Sequence, residues 1–514
     1  MLSDSTPGCP LRNRVAAWGL SMMDFVDQAV ELLTRLFLLA VGTTLLALLV
    51  LLVVDLAQTA NAVRRNYPVI GRFRRIFEVM GEFMRQYMFA MDREEMPFNR
   101  AQRNWVGRAS SAGSMTVAFG STRETRWPGT AIFANAPFGL LEEECGDTSK
   151  VTVGADGPNP YTTNRIFHIS GMSFGAISRP AVTALGKGAA MAGCWVNTGE
   201  GGLSPWHLEA GNDVVFQFGT AKNGVRTPDG ALSEERLREV GSNPQVRMIE
   251  IKLSQGAKPG KGVILPGAKV TGEIARIRGI RPGEDAVSPN RHREVSNNGE
   301  LLDLIARVRD TGGKPTGYKA VVGNPQWLDE LFELINRRGP DAAPDFITVD
   351  SGDGGTGAAP MPLMDNVGMV LRESLIMLVD ALERHGLRDR VRVVASGKLI
   401  TPTEVAWALC AGADFAVSAR GFMFALGCIQ AMRCNKNTCP TGITTHNRRL
   451  QRGLDPPTKA VSVANYQRRI EEELKIIAHS CGVAEPRLLR REHCRIVQPD
   501  GRSRPLSEIY PKAA

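Results

Sequence analysis

Between residues 166 and 418, short apolar runs recur at regular intervals, each ending in a polar or glycine-rich turn. They occupy residues 166–170, 195–198, 214–217, 248–252, 318–322, 346–350, 391–396 and 415–418. Helical patterns lie between them, as at 181–192, 299–309, 369–385 and 403–411. Strands alternating with helices imply a parallel sheet, because each helix carries the chain back across the sheet before the next strand. Continuous apolar runs fit strands covered on both faces. Eight such units over about 250 residues predict an α/β fold closed into a (β/α)8 TIM barrel, with its chemistry at the strand C-termini. An open doubly wound sheet is the alternative. It calls for Gly-x-Gly-x-x-Gly after the first strand, and Ser170-Gly-Met-Ser-Phe-Gly lacks that spacing.

Ahead of the barrel, residues 36–54 read LFLLAVGTTLLALLVLLVV, uncharged between Arg35 and Asp55. The run is about long enough to cross a bilayer as a helix. A buried core helix and a cleaved signal peptide are the alternatives; the second has an overlong apolar region and only a weak cleavage-like Ala60-Asn61-Ala62. Arg64, Arg65, Arg72, Arg74 and Arg75 follow the run, whereas only Arg12, Arg14 and Arg35 precede it, mixed with acids. The bias predicts a single-pass membrane anchor with the large C-terminal part in the cytoplasm, and the arginines also suit anionic lipid. The expected organisation is an N-terminal segment at 1–60, a juxtamembrane and cap segment at 61–160, the barrel at 161–450 and a helical extension at 451–514.

The net charge of +9 does not point to nucleic acid, since Lys and Arg are dispersed and aromatic residues make up only 6% of the 514. Nine cysteines in so long a chain are no disulfide framework. Six are scattered (Cys9, Cys145, Cys194, Cys410, Cys481 and Cys494), but three crowd into Cys428-Ile-Gln-Ala-Met-Arg-Cys434-Asn-Lys-Asn-Thr-Cys439-Pro440. Closely spaced thiolates on one loop, with proline after the last, suit an iron–sulfur cluster. Zinc with His446 as fourth ligand fits the same spacing, although structural zinc prefers Cys-x-x-Cys pairs.

Two glycine turns follow the last two strands, Ser396-Gly397-Lys398 and Ser418-Ala419-Arg420-Gly421. In a barrel those loops cradle phosphate, and FMN, with one terminal phosphate, suits them. Asp353-Gly354-Gly355-Thr356-Gly357-Ala358-Ala359-Pro360 lets backbone approach a planar ring or a substrate, and Asn197-Thr198-Gly199-Glu200-Gly201-Gly202 brings a carboxylate to the mouth.

Together these motifs resemble the flavin domain of the glutamate synthases, the ferredoxin-linked type especially. The likeness runs in order from Ile169-Ser-Gly-Met-Ser-Phe-Gly-Ala-Ile-Ser178 through the Glu200 turn, Ile249–Gly260, Leu265-Pro-Gly-Ala-Lys-Val270 and Gly354–Pro360 to Cys428–Gly442, covering roughly residues 160–450. The resemblance implies FMN contacts at Ser170, Met172, Lys319, Ser396, Gly397, Lys398, Ser418, Ala419, Arg420 and Gly421, and a 3Fe-4S cluster on Cys428, Cys434 and Cys439. It places Gln255, Lys258, Arg278, Gly354 and Gly355 around 2-oxoglutarate or a similar keto acid, with Glu200 and Lys258 as catalytic groups. A plain salt-bridged role for Glu200 is the alternative. The implied reaction is L-glutamate formation by FMN hydride reduction of the 2-oxoglutarate imine. Electrons would come from a ferredoxin-like donor through the cluster, and ammonia from outside the chain.

The chain departs from the family in places. Where the family usually reads Gly-Glu-Gly-Gly-Gln-Leu-Pro-Gly, this sequence has Gly260-Lys261-Gly262-Val263-Ile264-Leu265-Pro266-Gly267. Asp353 follows Gly352 rather than the usual His-Asp order, and Ala395-Ser396-Gly397 replaces an aspartate-led turn. Loss of a polar anchor changes a pocket's preference more than its cofactors. A flavin enzyme joining an alkylamine to a keto acid, or a membrane-tethered electron carrier, are therefore the alternative functions. No amidotransferase cysteine, terminal solenoid or dinucleotide fingerprint is expected, so glutamine hydrolysis and direct use of NADPH fall outside the expected chemistry.

Overall fold

The structure, a computed structural model, describes residues 10–262 and 264–511. Cys9 lies outside the described residues. Contacts divide the chain into two bodies, one ending at Asn99 and one beginning at Arg100.

The first body is helical. Its first helix is Pro10–Ala57; within it Phe25–Ala57 is long and apolar enough to cross a membrane by length and composition, its most apolar 18-residue window having mean hydropathy 2.9. It is apolar on every side and so presents no single face to a core. Short helix Ala62–Asn66 follows, capped by Asn61, whose side chain accepts from the Arg64 N–H at 3.1 Å. Helix Ile70–Met84 then runs into a wider turn at Arg85–Phe89.

The second body is built on eight parallel strands: β1 Phe167–Ile169, β2 Val196–Asn197, β3 Val214–Phe218, β4 Val246–Lys252, β5 Thr316–Ala320, β6 Phe346–Asp350, β7 Arg392–Ser396 and β8 Phe415–Ser418. Each pairs with its neighbour in sequence, and β8 returns to β1 with Ser418 opposite Ile169, closing the barrel. All eight expected runs are strands. The fifth ends earlier than its apolar run because Ser254 Oγ takes the Val321 N–H at 2.8 Å, which removes that residue from the ladder.

Hairpin Val151–Val153 and Tyr161–Thr163 plugs the N-terminal end of the barrel. Val153 and Tyr161 pack there in one buried cluster with Trp195, Phe346 and Phe415, residues that begin or immediately precede their strands. Trp195 also stacks on His168 with ring centroids 3.2 Å apart.

The segment 451–514, expected as a helical extension, carries a 25-residue helix, Pro456–Ser480, followed by strands Cys494–Val497 and Ser503–Pro505. Cys494–Val497 pairs antiparallel with Ala131–Phe133, in a stretch whose sequence carries no readable motif. Strands this short have too few residues for an alternating pattern to stand out. Helix Pro456–Ser480 lies directly on helix Arg179–Ala192. A Cβ at Gly188 would stand 2.4 Å from Val463 Cγ1, so glycine is what permits this approach.

A candidate active site at the mouth of the barrel

The mouth is organised from beneath by a buried carboxylate. Glu250, on β4, is 3% exposed and accepts from Asn197 Nδ2 (2.8 Å), Thr348 Oγ1 (2.5 Å) and Gln217 Nε2. Three donors arriving from β2, β3 and β6 offset the cost of burying that charge. Asn197 in turn accepts the Gly199 N–H on its Oδ1 at 2.9 Å and so fixes the turn that carries Glu200. The floor of the barrel thereby sets the position of a mouth residue.

Glu200 meets the end of β4. Lys252 Nζ lies 2.9 Å from Glu200 Oε1 and 3.2 Å from Gln255 Oε1. Burial pushes the Glu200 carboxyl up, but Lys252, Lys258 and Arg278 outweigh it and hold Glu200 below the usual carboxylate range. Lys258 is buried and donates to the Ala358 carbonyl at 3.0 Å. Burial and neighbouring Lys252 bring its ammonium down to about 8, against the opposing pull of Glu200. Arg278 is 4% exposed; its Nη2 reaches Phe174 O at 3.1 Å and Ser173 Oγ at 3.4 Å, whereas its Nε has no protein partner. Burial lowers this guanidinium to about 10, with Glu200 opposing. These groups surround a cavity of about 470 Å³ at the strand C-termini. That volume is within the usual range for small-molecule sites.

The structure therefore brings Glu200, Gln255, Lys258, Arg278 and Gly355 into one cavity. Gly354 lies just behind the lining, packed against Gly256. Of the residues expected around FMN, Met172, Ala419 and Arg420 line the same cavity, and Ser170 and Lys319 line a smaller pocket inside the barrel beside Glu250. Ser396 Oγ is 3.2 Å from Lys319 Nζ and donates to Asp350 Oδ1 at 2.8 Å. Gly397, at φ +147°, packs where a Cβ would come within 2.3 Å of Ser351 Cβ. Lys398, expected among the FMN contacts, pairs with Asp353 at 2.7 Å. Ser418 Oγ accepts the Gly421 N–H at 3.2 Å and starts helix Arg420–Ala425, and Arg420 Nη2 donates to Thr356 O.

The cysteine loop leaves that helix and coils through three residues in the left-handed region, Gln430, Met432 and Asn437. Cys434 lines the cavity, with its sulfur 3.7 Å from Arg420 Nη1. Lys269 Nζ donates to the Cys434 carbonyl at 2.8 Å and to Ala176 O at 3.0 Å. Cys439 is buried beside Thr441, Sγ to Oγ1 3.3 Å. His446, the potential fourth zinc ligand, engages the Gly175 carbonyl at 2.7 Å through Nε2. Among the described residues, no group of three or more His, Cys, Asp or Glu side chains is arranged to hold a metal ion.

Sequence reasoning missed Lys252, Lys269, Gln217 and Glu250. Lys252 and Glu250 belong to an alternating strand end, and a lysine on a strand whose neighbours are all buried is the signal that marks such a residue. Lys269 was legible only as part of Leu265-Pro-Gly-Ala-Lys-Val270.

A closed barrel whose mouth gathers buried cations beside Glu200 has the architecture of an enzyme with its site at the strand C-termini. Residues 141–484 match the conserved region in glutamate synthase, and the chain belongs to that family. The glutamate synthase large subunit-like protein YerD of Bacillus subtilis (strain 168) is 39% identical over 486 residues, covering 87% of this chain and 92% of YerD. The archaeal glutamate synthase (NADPH) of Methanocaldococcus jannaschii is 32% identical over 331 residues, covering 64% of this chain and 61% of that protein. The large subunit-like protein of Rhizobium meliloti (strain 1021) is 29% identical over 369 residues, covering 68% of this chain and 79% of its own. The chain thus spans nearly all of YerD but about three-fifths of the archaeal enzyme. It is an oxidoreductase of the glutamate synthase type.

Proposed function

We propose that the cavity binds 2-oxoglutarate as its imine with ammonia supplied from outside the chain, and that the product is L-glutamate. One observation carries this reading: Lys252, Lys258, Lys269 and Arg278 are all buried at the cavity wall with Glu200 as the carboxylate among them. Desolvated cations in excess demand an anion, and a dicarboxylate supplies two. Arg278, which lines this wall and whose Nε has no protein partner, suits one carboxylate, and Lys258 suits the other.

Glu200 is held ionised and accepts from Lys252, so its role is to orient the nitrogen of the substrate rather than to donate a proton. Lys258, with its ammonium brought down to about 8, can give up a proton near neutral pH. The mouth fits FMN: Met172, Ala419 and Arg420 edge the cleft, and Lys319 and Ser170 stand at its floor. With Lys398 occupied by Asp353, Arg420 and the turns after β7 and β8 are left to meet the phosphate. Cys428, Cys434 and Cys439 share one loop beside Arg420 and Lys269, cations that suit an anionic 3Fe-4S cluster. When bound, FMN would supply two-electron reduction at the substrate, and the cluster one-electron relay from a ferredoxin-like donor.

Helix Phe25–Ala57 is read as a single membrane anchor, with the arginines after it keeping the barrel on the cytoplasmic side. The test is direct. Purified protein with reduced ferredoxin, 2-oxoglutarate and ammonia under anaerobic conditions is expected to form glutamate, and its absence sinks the substrate assignment. A second reading rests on Ile264, which lines the cavity and is 50% exposed. Its apolar side chain suits an alkylamine in place of ammonia, and screening amines by reoxidation of the reduced enzyme separates the two.

A further inference from the structure

We infer that helix Ile70–Met84 is a second membrane element, lying flat in the headgroup layer of an anionic bilayer beside the membrane-spanning helix. The inference rests on reading Phe25–Ala57 as the membrane anchor. Ile70, Phe73, Ile76, Phe77, Met80 and Phe83 recur at spacings of three and four, so they share one face. All are exposed, from 44% at Met80 to 71% at Ile70. Arg74, Arg75 and Glu78 occupy the opposite side, with Arg74 Nε 2.9 Å from Glu78. A helix with so wide an apolar stripe is unstable against water unless something covers it.

Two observations identify the cover as lipid. The first is continuity with the anchor. Asp55, fully buried near the end of the apolar helix, accepts from Arg72 Nη2 at 2.7 Å, Arg72 Nε at 2.8 Å and the Val69 N–H at 3.0 Å. The second helix is therefore tied by its first turn to the end of the membrane-spanning one, at the depth where the bilayer surface must lie. Val69 holds φ +65°, a conformation disfavoured for a β-branched residue, and its N–H bond to Asp55 fixes that turn. The second is charge: between residues 61 and 89 there are six arginines and two glutamates. Basic residues flanking an apolar face are the composition of helices that lie in an anionic interface. Tyr87, Met88 and Phe89, just beyond the helix, are also exposed.

The test uses the full chain in vesicles of phosphatidylcholine with and without phosphatidylglycerol. Labelling by a lipid-phase carbene probe is read together with amide hydrogen exchange and resistance to carbonate extraction. With phosphatidylglycerol present, peptides covering Ile70–Met84 are expected to carry the label and to exchange about tenfold more slowly than in the Phe73→Glu/Phe77→Glu variant. That variant is expected to keep its label over Phe25–Ala57 and to stay in the carbonate pellet. A further variant, Arg74→Gln/Arg75→Gln, is expected to lower labelling in the anionic vesicles and leave it unchanged in the neutral ones. A labelled Phe25–Ala57 beside an unlabelled, freely exchanging Ile70–Met84 overturns the inference and leaves the anchor standing. Release of the whole chain by carbonate overturns both. Protection that rises with protein density without lipid labelling points to a second copy of the chain and also overturns the inference.

Discussion

Lys252 Nζ stands 2.9 Å from Glu200 Oε1, joining the end of β4 to the turn after β2 across the mouth of the barrel. Removing that cation leaves a nearly buried carboxylate without its closest countercharge. Lys252→Gln is therefore expected to raise the Glu200 pKa and to cost about 3 kcal/mol, roughly 10²-fold in kcat/KM. The acid limb of the pH–rate profile should move to higher pH. Paired with Glu200→Gln, the double variant should lose less than the sum of the two single losses. An unmoved acid limb would show that Lys252 does not govern the charge on Glu200.

Arg278 contributes a buried guanidinium whose Nε has no protein partner. Arg278→Ala is expected to raise the KM for the keto acid at least about 30-fold, the scale of a charged hydrogen bond. Reduction of the bound redox centres by dithionite should be unchanged. Arg278→Lys should rescue little, since a point charge cannot reproduce the planar fork. If the alanine variant turns over normally, the dicarboxylate pocket is elsewhere.

The ammonium of Lys258 is brought down to about 8 by burial and by Lys252. A depressed lysine is charged below that value and neutral above it. Its contribution to carboxylate binding is thus complete at lower pH and fades as the pH rises through 8. The KM for the keto acid should be level near neutrality and climb by up to about tenfold per pH unit in the alkaline range. In Lys258→Arg, which stays charged, the climb should vanish. Initial rates across pH with saturating ammonia decide this.

Ile264 sits on the cavity wall where the family usually carries a glutamine. Ile264→Gln is expected to favour ammonia over alkylamines by about 1 kcal/mol, roughly fivefold. Competition between the two amines, read from product ratios, measures the shift.

Visible absorption with metal and flavin quantified tests the redox centres. Bound iron alongside FMN is expected, and Cys439→Ser should lose the iron while retaining the flavin. Zinc in place of iron would overturn the electron route.

The barrel was legible because its strands are buried on both faces, so that Phe346–Asp350 and Phe415–Ser418 stand out as mainly apolar runs between helical patterns. Glu200, Gln255, Lys258 and Arg278 were implied by the family resemblance, and all four line one cavity. Partnerships were much harder to read. The sequence separates Asp353 from Lys398 by three structural elements, and only the closed barrel brings them to 2.7 Å. Lys252 was missed because its contact with Glu200 joins the end of β4 to the turn after β2. Strands Ala131–Phe133 and Cys494–Val497 were invisible, being too short for periodicity and stabilised by each other.

That last pairing has a consequence for synthesis. Ala131–Phe133 leaves the ribosome before any barrel strand, yet its partner Cys494–Val497 follows all eight. The early strand must wait with an unpaired edge until all eight barrel strands have been translated. A chain stalled or cut shortly before Cys494 would present that open edge to aggregation and to quality-control proteases.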